Sequence, residues 1–465
     1  MVIKMYCKFC GKQISDNSNF CQFCGGKLNE RITNFPNIPP KSLPENKNSD
    51  AAMLEINDGV LIRIKMTAIN ISSIVIPEGV RVIDDRAFFE CRGLVSITIP
   101  DTVERIGDHA FYRCEMLNDI TIPHSVTSIG KNAFEGCKSL KSIVFESGSR
   151  LRHIGKNAFS YCNRLTSVFV SELSTLYNAS CFERYGYSHS YGTPLVCAKN
   201  LYLNGESVRE IVIPHGVTSI GDGAFAYLET LERVTLPSSV KSIGAGAFAH
   251  CGRLTEIKLS EGLTDIGDFA FEDCAALTNV AIPHTVREIG GNAFYGCKSI
   301  TSIELPHGMT VIRENIFSEC HRLSTVKIPY GVTAIGCNAF GNCHALTAAM
   351  LPPSLKRIDN GAFATCKSLT CATIPSGVES IGQSAFGNCT SLSELTLSNG
   401  IKGIQPYAFY NCASLVSVTI PDSIKWIENS AFCGCSRLCG VTLPKGVILG
   451  LYAFEGCAEA PRFRP

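Results

Sequence analysis

Apolar and polar positions along this chain follow one long cycle. The segment from Leu117 to Leu140, LNDITIPHSVTSIGKNAFEGCKSL, shows it in full: L-x-x-I-x-I-P-x-x-V-x-x-I-G-x-x-A-F-x-x-C. The Ala-Phe pair recurs with Phe at 88, 111, 134, 159, 225, 248, 271, 294, 317, 340, 363, 386, 409, 432 and 454, which makes fifteen rungs. Ile316 is the one residue that replaces the Ala. From Phe225 to Phe432 every step is 23 residues. A register this strict is the mark of stacked coils, since a fixed period of 20–50 residues signals a solenoid or a related array.

Each column predicts an element. L-x-x-I-x-I ends in a period of two and is rich in β-branched residues, so it reads as a short strand. The proline that follows, as at Pro100, Pro123, Pro283 and Pro306, has no N–H to give a parallel ladder and closes the strand. V-x-x-I predicts a second brief extended segment. G-x-x-A-F suits one helical turn that drops Phe inward while Ala permits close packing. Asp84, Arg313, Asp359, Gln405 and Glu428 replace the Gly of the I-G pair, so a compact turn without left-handed backbone is expected there. No rung can bury its apolar face alone, but stacked rungs share a continuous core.

These columns resemble the BspA-type, or treponemal, leucine-rich repeat, through I-x-I-P, I-G-x-x-A-F and Cys-x-x-Leu over nearly all of residues 53–457. The resemblance implies a right-handed, β-rich leucine-rich-repeat solenoid with short helical turns and a concave parallel sheet. It also implies a role in adhesion or protein binding, often at a microbial cell surface.

The cycle breaks once. Between Phe159 and Phe225 lie 66 residues where 23 are expected, and the surplus includes YGYSHSYGTP. The repeat resumes at NLYLNGESVREIVIP, where Asn204-Gly205 between apolar runs signals a two-residue hairpin. Asp58-Gly59 in LEINDGVLIRI gives the same signal at the start of the first block. Both hairpins suit the covering of an exposed sheet edge. The resulting division is a ribbon at 5–27, a Pro- and Asn-rich flexible linker at 28–52, a four-rung block at 53–170, an interrupting island at 171–200 and an eleven-rung block at 201–465.

Composition adds limits. Lys+Arg total 42 against 41 Asp+Glu, so no whole-chain electrostatic grip on nucleic acid or an anionic membrane is expected. No apolar stretch reaches the roughly 18 residues of a membrane-spanning helix, and the N-terminus lacks the apolar run of a secretory signal. A cytoplasmic protein is expected, with the cell surface as the alternative.

The 24 cysteines divide by position. Cys7, Cys10, Cys21 and Cys24 form two C-x-x-C-G knuckles, the tetrathiolate spacing of a structural zinc ribbon. A redox dithiol or two disulfides compete with that reading, but paired Gly-capped knuckles favour one Zn2+ with no open ligand position. Some twenty residues cannot build a core, so the metal would supply the folding energy. The segment resembles the bacterial zinc-ribbon module found at the start of many unrelated proteins.

Fourteen cysteines, Cys91 to Cys457, stand three residues after the Phe, with Leu228 as the exception. Since Leu neither ligates nor oxidises, the column reads as small buried hydrophobes whose S–H meets a neighbouring carbonyl, and not as a metal wire. Cys181, Cys197, Cys337, Cys371, Cys433 and Cys439 look scattered. His124, His215, His284 and His307 share a turn column that elsewhere holds Glu78, Asp101 or Ser238, so an exposed, tolerant position is expected rather than a metal site between His284 and His307.

The outward positions of the strand are mostly Ser and Thr. Charge gathers at Arg233, Glu256, Lys258, Glu304 and Lys327, and an apolar, thiol-bearing patch follows at Ala348, Met350 and Cys371. No glycine-rich phosphate loop, G-x-S-x-G or separate acid–base constellation stands out. The expected function is a non-catalytic protein-interaction scaffold that uses this face, with the ribbon as accessory docking module and a surface adhesin as the alternative. A protein partner is expected; nucleic acid and small-molecule substrates are not.

Overall fold

The computed structural model describes residues 51–65, 71–185 and 188–464, together with the strands Met5–Tyr6 and Gln13–Ile14. Cys7, Cys10, Cys21 and Cys24 and nearly all of the 28–52 linker lie outside the described residues. The chain forms two compact units, Met1–Leu254 and Thr255–Pro465. Each is a β-solenoid in which successive rungs lay parallel strands side by side.

In the first unit the V-x-x-I segments form one ladder through Val82–Ile83, Arg105–Ile106, Ser128–Ile129 and His153–Ile154. The L-x-x-I-x-I segments form another through Asp119–Ile122, Ser142–Phe145 and Ser167–Val170. The second unit repeats the arrangement, with Ser302–Glu304 to Ser417–Val418 on one side and Val311–Ile312 to Ile448–Leu449 on the other. Register is kept rung by rung: Ser302 faces Thr325, and Glu304 faces Lys327.

Phenylalanines fill the interior as a stack. Phe88, Phe111, Phe134 and Phe159 lie 4.9 to 5.2 Å apart between centroids, nearly coplanar in orientation. From Phe271 to Phe454 the spacing is 5.1 to 5.7 Å. Such aromatic contacts add to the burial of each ring, which is the main stabilising term.

The G-x-x-A-F turn departs from the expected helical turn. The residues two before and two after each Phe adopt positive φ, as at His109 (55°) and Arg113 (55°) around Phe111. The alternate amides therefore point along the solenoid: His109, Phe111 and Arg113 donate to the carbonyls of Lys131, Ala133 and Glu135 on the next rung. The intervening amides close four-residue turns within the rung, as Tyr112 does to His109. A true helical turn would keep those donors to itself, so the left-handed residues are what extend the ladder around this corner. Asn and Gly often occupy these two positions, for example Asn132 and Gly136.

The I-G glycine is not left-handed, as expected. It answers a close approach: a Cβ on Gly130 would lie 2.5 Å from the carbonyl carbon of Gly107 and 2.6 Å from the amide nitrogen of Asp108.

Both hairpins form with left-handed turn pairs, Asp58-Gly59 (49°, 77°) and Asn204-Gly205 (50°, 87°). Val60–Ile64 covers the outer edge of Val82–Ile83, and Leu201–Leu203 covers Ser167–Val170.

The 171–200 segment supplies a rung as well as interrupting the repeat. Ser180 bridges to His153 in parallel, carrying the V-x-x-I ladder onward. Pro194 occupies the Phe position, since the Cys197 amide donates to its carbonyl as the Cys114 amide does to Phe111. The Cys197 thiol then donates to the carbonyl of Phe159 at 3.2 Å, so Cys197 is a ladder member and not a scattered cysteine. The strands Phe182–Tyr185 and Ser188–Tyr191 form an inserted hairpin. Tyr191 packs from it over Ala226 and Ala249.

Candidate functional site

The solenoid interior is chemically closed. Ladder thiols donate to the Phe carbonyl of the preceding rung, as Cys114 does to Phe88 at 3.2 Å and Cys297 to Phe271 at 3.2 Å. Burial pushes the Cys251 and Cys389 thiols up to about 12 and raises Cys297, Cys343 and Cys366 in the same direction. Thiols held protonated in this way are poor nucleophiles and poor ligands. The column is structural, and its hydrogen bonds tie each rung to the last.

Chemistry is therefore confined to the surface. Residues of the strand that point outward are exposed because their neighbours at alternate positions point into the core. In the second unit Glu256, Lys258, Glu304 and Lys327 all lie on this exposed face. Lys258 Nζ is 3.6 Å from Glu256 Oε1, and Lys327 Nζ is 3.0 Å from Glu304 Oε2. The four charges thus form two acid–base pairs, and the face carries alternating sign rather than a single-sign field. Ser302 and Thr325 stand beside the second pair. Ala348 continues the column of Thr325, and Met350, 82% exposed, stands two residues beyond it. Cys371 pairs with Ala348 and is also exposed. Arg233 lies in the first unit, where it pairs with Glu210 at 3.2 Å.

The first outward column, unremarked in the sequence, has a structural use. Hydroxyls of Thr347, Thr370 and Ser393 each donate to the backbone carbonyl one rung back, at 3.2 to 3.3 Å. Ser and Thr there tie one rung to the next.

The histidine column is exposed at His215, His284 and His307, while His124 is half-buried. His284 Nδ1 lies 3.0 Å from Glu261 Oε2, an exposed pair. Among the described residues, three possible ligand atoms come together elsewhere, at Asp101, His124 and Glu146. Reading the column as uniformly tolerant concealed this, because Glu146 stands where the two preceding rungs carry Pro100 and Pro123.

At the N-terminus, Met5–Tyr6 pairs antiparallel with Gln13–Ile14, Met5 facing Ile14. Cys7, Cys10 and Gly11 fall in the segment that connects these strands, which fits a first zinc knuckle. Four thiolates are the donor set that Zn2+ takes in structural sites, and the group would supply a fixed fold and no open position for substrate.

Comparison with known proteins agrees with this picture. The chain matches the BspA type Leucine rich repeat region family over residues 66–187, 197–320, 241–370 and 356–460. Residues 6–28 match the zinc-ribbon domain family. A leucine-rich repeat protein from Bacteroides ovatus ATCC 8483 is similar in structure, with TM-score 0.56, 30% identity, and coverage of 88% of this chain and 94% of that one. A leucine rich cell surface protein from Faecalibacterium prausnitzii A2-165 aligns with TM-score 0.45 and 24% identity over 87% of this chain and 95% of that one. A leucine-rich repeat protein from Eubacterium ventriosum ATCC 27560 aligns with TM-score 0.34 and 21% identity over 87% and 92%. No curated protein matches the sequence. Among the described residues no helix is long and apolar enough to cross a membrane.

Proposed function

We propose that this chain, which belongs to the BspA-type leucine-rich-repeat family and carries an N-terminal zinc-ribbon domain, is a non-catalytic scaffold that binds a folded protein on the exposed sheet face of its second unit. The reading rests on one observation above all. The paired charges Glu256–Lys258 and Glu304–Lys327 sit on the same outward face as Met350 and Cys371, on strands held in register by their neighbours. A stacked sheet loses little conformational entropy on binding. Alternating charge beside an apolar patch suits a partner with its own mixed surface and is ill-suited to a polyanion. The ribbon holds a single structural Zn2+ through Cys7, Cys10, Cys21 and Cys24 and serves as an accessory docking module.

The test is the double change Lys258→Glu and Lys327→Glu. Both side chains are exposed, and exposed pairs contribute about 0–1 kcal/mol, so the variant should keep the wild-type thermal midpoint. A protein partner captured by the wild type should bind the variant about tenfold more weakly, mainly through slower association, with an altered salt dependence. Equal affinity of wild type and folded variant for that partner would overturn the assignment of this face.

A further inference from the structure

The rungs of the first unit bring Asp101, His124 and Glu146 together at one turn. We propose that these three side chains form a second metal site, separate from the thiolates of the ribbon, that takes a divalent ion of the zinc class. One ligand atom from each residue lies within 4.8 Å of the other two. His124 Nδ1 is 3.8 Å from Glu146 Oε2. Zinc bonds of about 2.0–2.2 Å to nitrogen and oxygen need these atoms slightly closer, a movement that partly exposed side chains can make by rotamer adjustment.

The arrangement follows from the repeat and from one departure in it. Asp101 and His124 occupy the same column, each directly after the proline that ends its strand. On the next rung the strand ends without proline, and Glu146 stands in its place. The Glu146 carboxylate accepts the His124 amide at 3.4 Å, which holds it near the imidazole. The Arg150 amide donates to the His124 carbonyl at 2.9 Å, which anchors the following turn. A cavity of about 400 Å³ opens at this point. Asp101, His124, Arg81, Glu104 and Arg150 are among the residues that line it.

The imidazole decides the class of ion. A hard cation such as Ca2+ takes oxygen ligands and gains nothing from the ring nitrogen. An ion that bonds imidazole as well as carboxylate can use all three side chains, which selects the zinc class. Water would complete the coordination, since three protein ligands leave a position open. Binding requires an unprotonated imidazole.

The experiment uses the full chain, equilibrated with Zn2+ at low-micromolar free concentration, its metal content measured per chain. Wild type should hold one equivalent more than His124→Ala and one more than Glu146→Gln. The comparison is a difference, so it does not depend on what the ribbon holds. His124→Ala is expected to fold, because the same column accepts Ser238 and Ser376, and Glu146→Gln keeps an acceptor for the His124 amide. With Co2+ as probe, the extra equivalent should show ligand-field bands without thiolate charge transfer. Equal metal content in wild type and both variants, or thiolate charge transfer from the extra equivalent, would overturn the site.

Discussion

The coil from Phe271 to Phe454 and the segment from Phe159 to Phe225 meet the same stacking requirement with different residues. In the coil every rung contributes a stacked Phe, a pair of left-handed residues around it and a ladder thiol, buried in each rung but the last. In the break one rung has Pro194 in the Phe position and Thr193 in the Ala position. Yet the Cys197 thiol reaches the Phe159 carbonyl at 3.2 Å, the same distance as Cys297 to Phe271. The ring is thus dispensable to the geometry of a rung, while the donors that satisfy the preceding rung's carbonyls are kept. Backbone hydrogen-bond satisfaction sets the register, and the aromatic stack supplies stability on top of it.

The largest effect that should separate the two regions is alkaline destabilisation, steeper for the coil, where the buried thiols run from Cys274 to Cys435, than for the break with Cys162 and Cys181. Burial raises the thiols of Cys297, Cys320, Cys343, Cys366 and Cys389, so they remain protonated in the folded coil. In the unfolded chain they ionise above about 8.5. The unfolded state then binds fewer protons, and stability falls with rising pH. The stabilisation is complete below the unfolded value and is lost as pH climbs toward the folded value, about 12 for Cys389. Each such thiol costs about 1.4 kcal/mol per pH unit in that window. Chemical denaturation at pH 8 and at pH 10 should show a steep loss for the second unit. A flat profile would mean these thiols are not buried as protonated groups.

A second contrast compares interior residues. Phe294 is fully buried and stacked on Phe271 and Phe317. Phe294→Ala should cost about 3–5 kcal/mol through the cavity it leaves. Pro194→Ala removes no aromatic ring and should cost about 1 kcal/mol or less, mainly by loosening the backbone before Leu195–Ala198. Equal losses in denaturant titrations would show that the break relies on its proline as the coil relies on its phenylalanines.

Much of this was legible from periodicity. The strands, the proline stops, both capping hairpins and the closed thiol ladder follow from columns that recur, because a buried position repeats its chemistry. The residues missed are those where the column changes its occupant. Cys197 looked scattered because insertions on either side of it hide its register, and only the Phe159 carbonyl identifies its place. The left-handed positions around each Phe were hidden for the opposite reason. Arg86, Tyr227 and Thr365 adopt positive φ beside the more telling Asn and Gly, so tertiary hydrogen bonding overrides local preference there. Asp101, His124 and Glu146 converge only because one rung ends its strand without proline, a change that a column-by-column reading records as noise.

The smallest effect is also the sharpest comparison, because it asks whether the rung in the break is bonded as firmly as a regular one. Cys297 and Cys197 make the same contact, a thiol donating to a Phe carbonyl on the rung before. The Phe271 carbonyl also accepts the Cys274 amide, so removing the Cys297 thiol takes away one of its two donors. A hydrogen bond of this kind contributes about 0.5–1.5 kcal/mol net. Cys297 is fully buried and Cys197 only partly so, which adds a small packing loss for the first and less for the second. Cys297→Ala and Cys197→Ala should therefore each cost about 1 kcal/mol, with the coil variant slightly the more destabilised. Amide hydrogen exchange at the adjacent turns gives the local reading that a global melt would blur. A Cys197→Ala variant with unchanged protection at the 159–162 turn would show that the thiol contact does not hold the break together, and would return that task to the inserted hairpin and Tyr191.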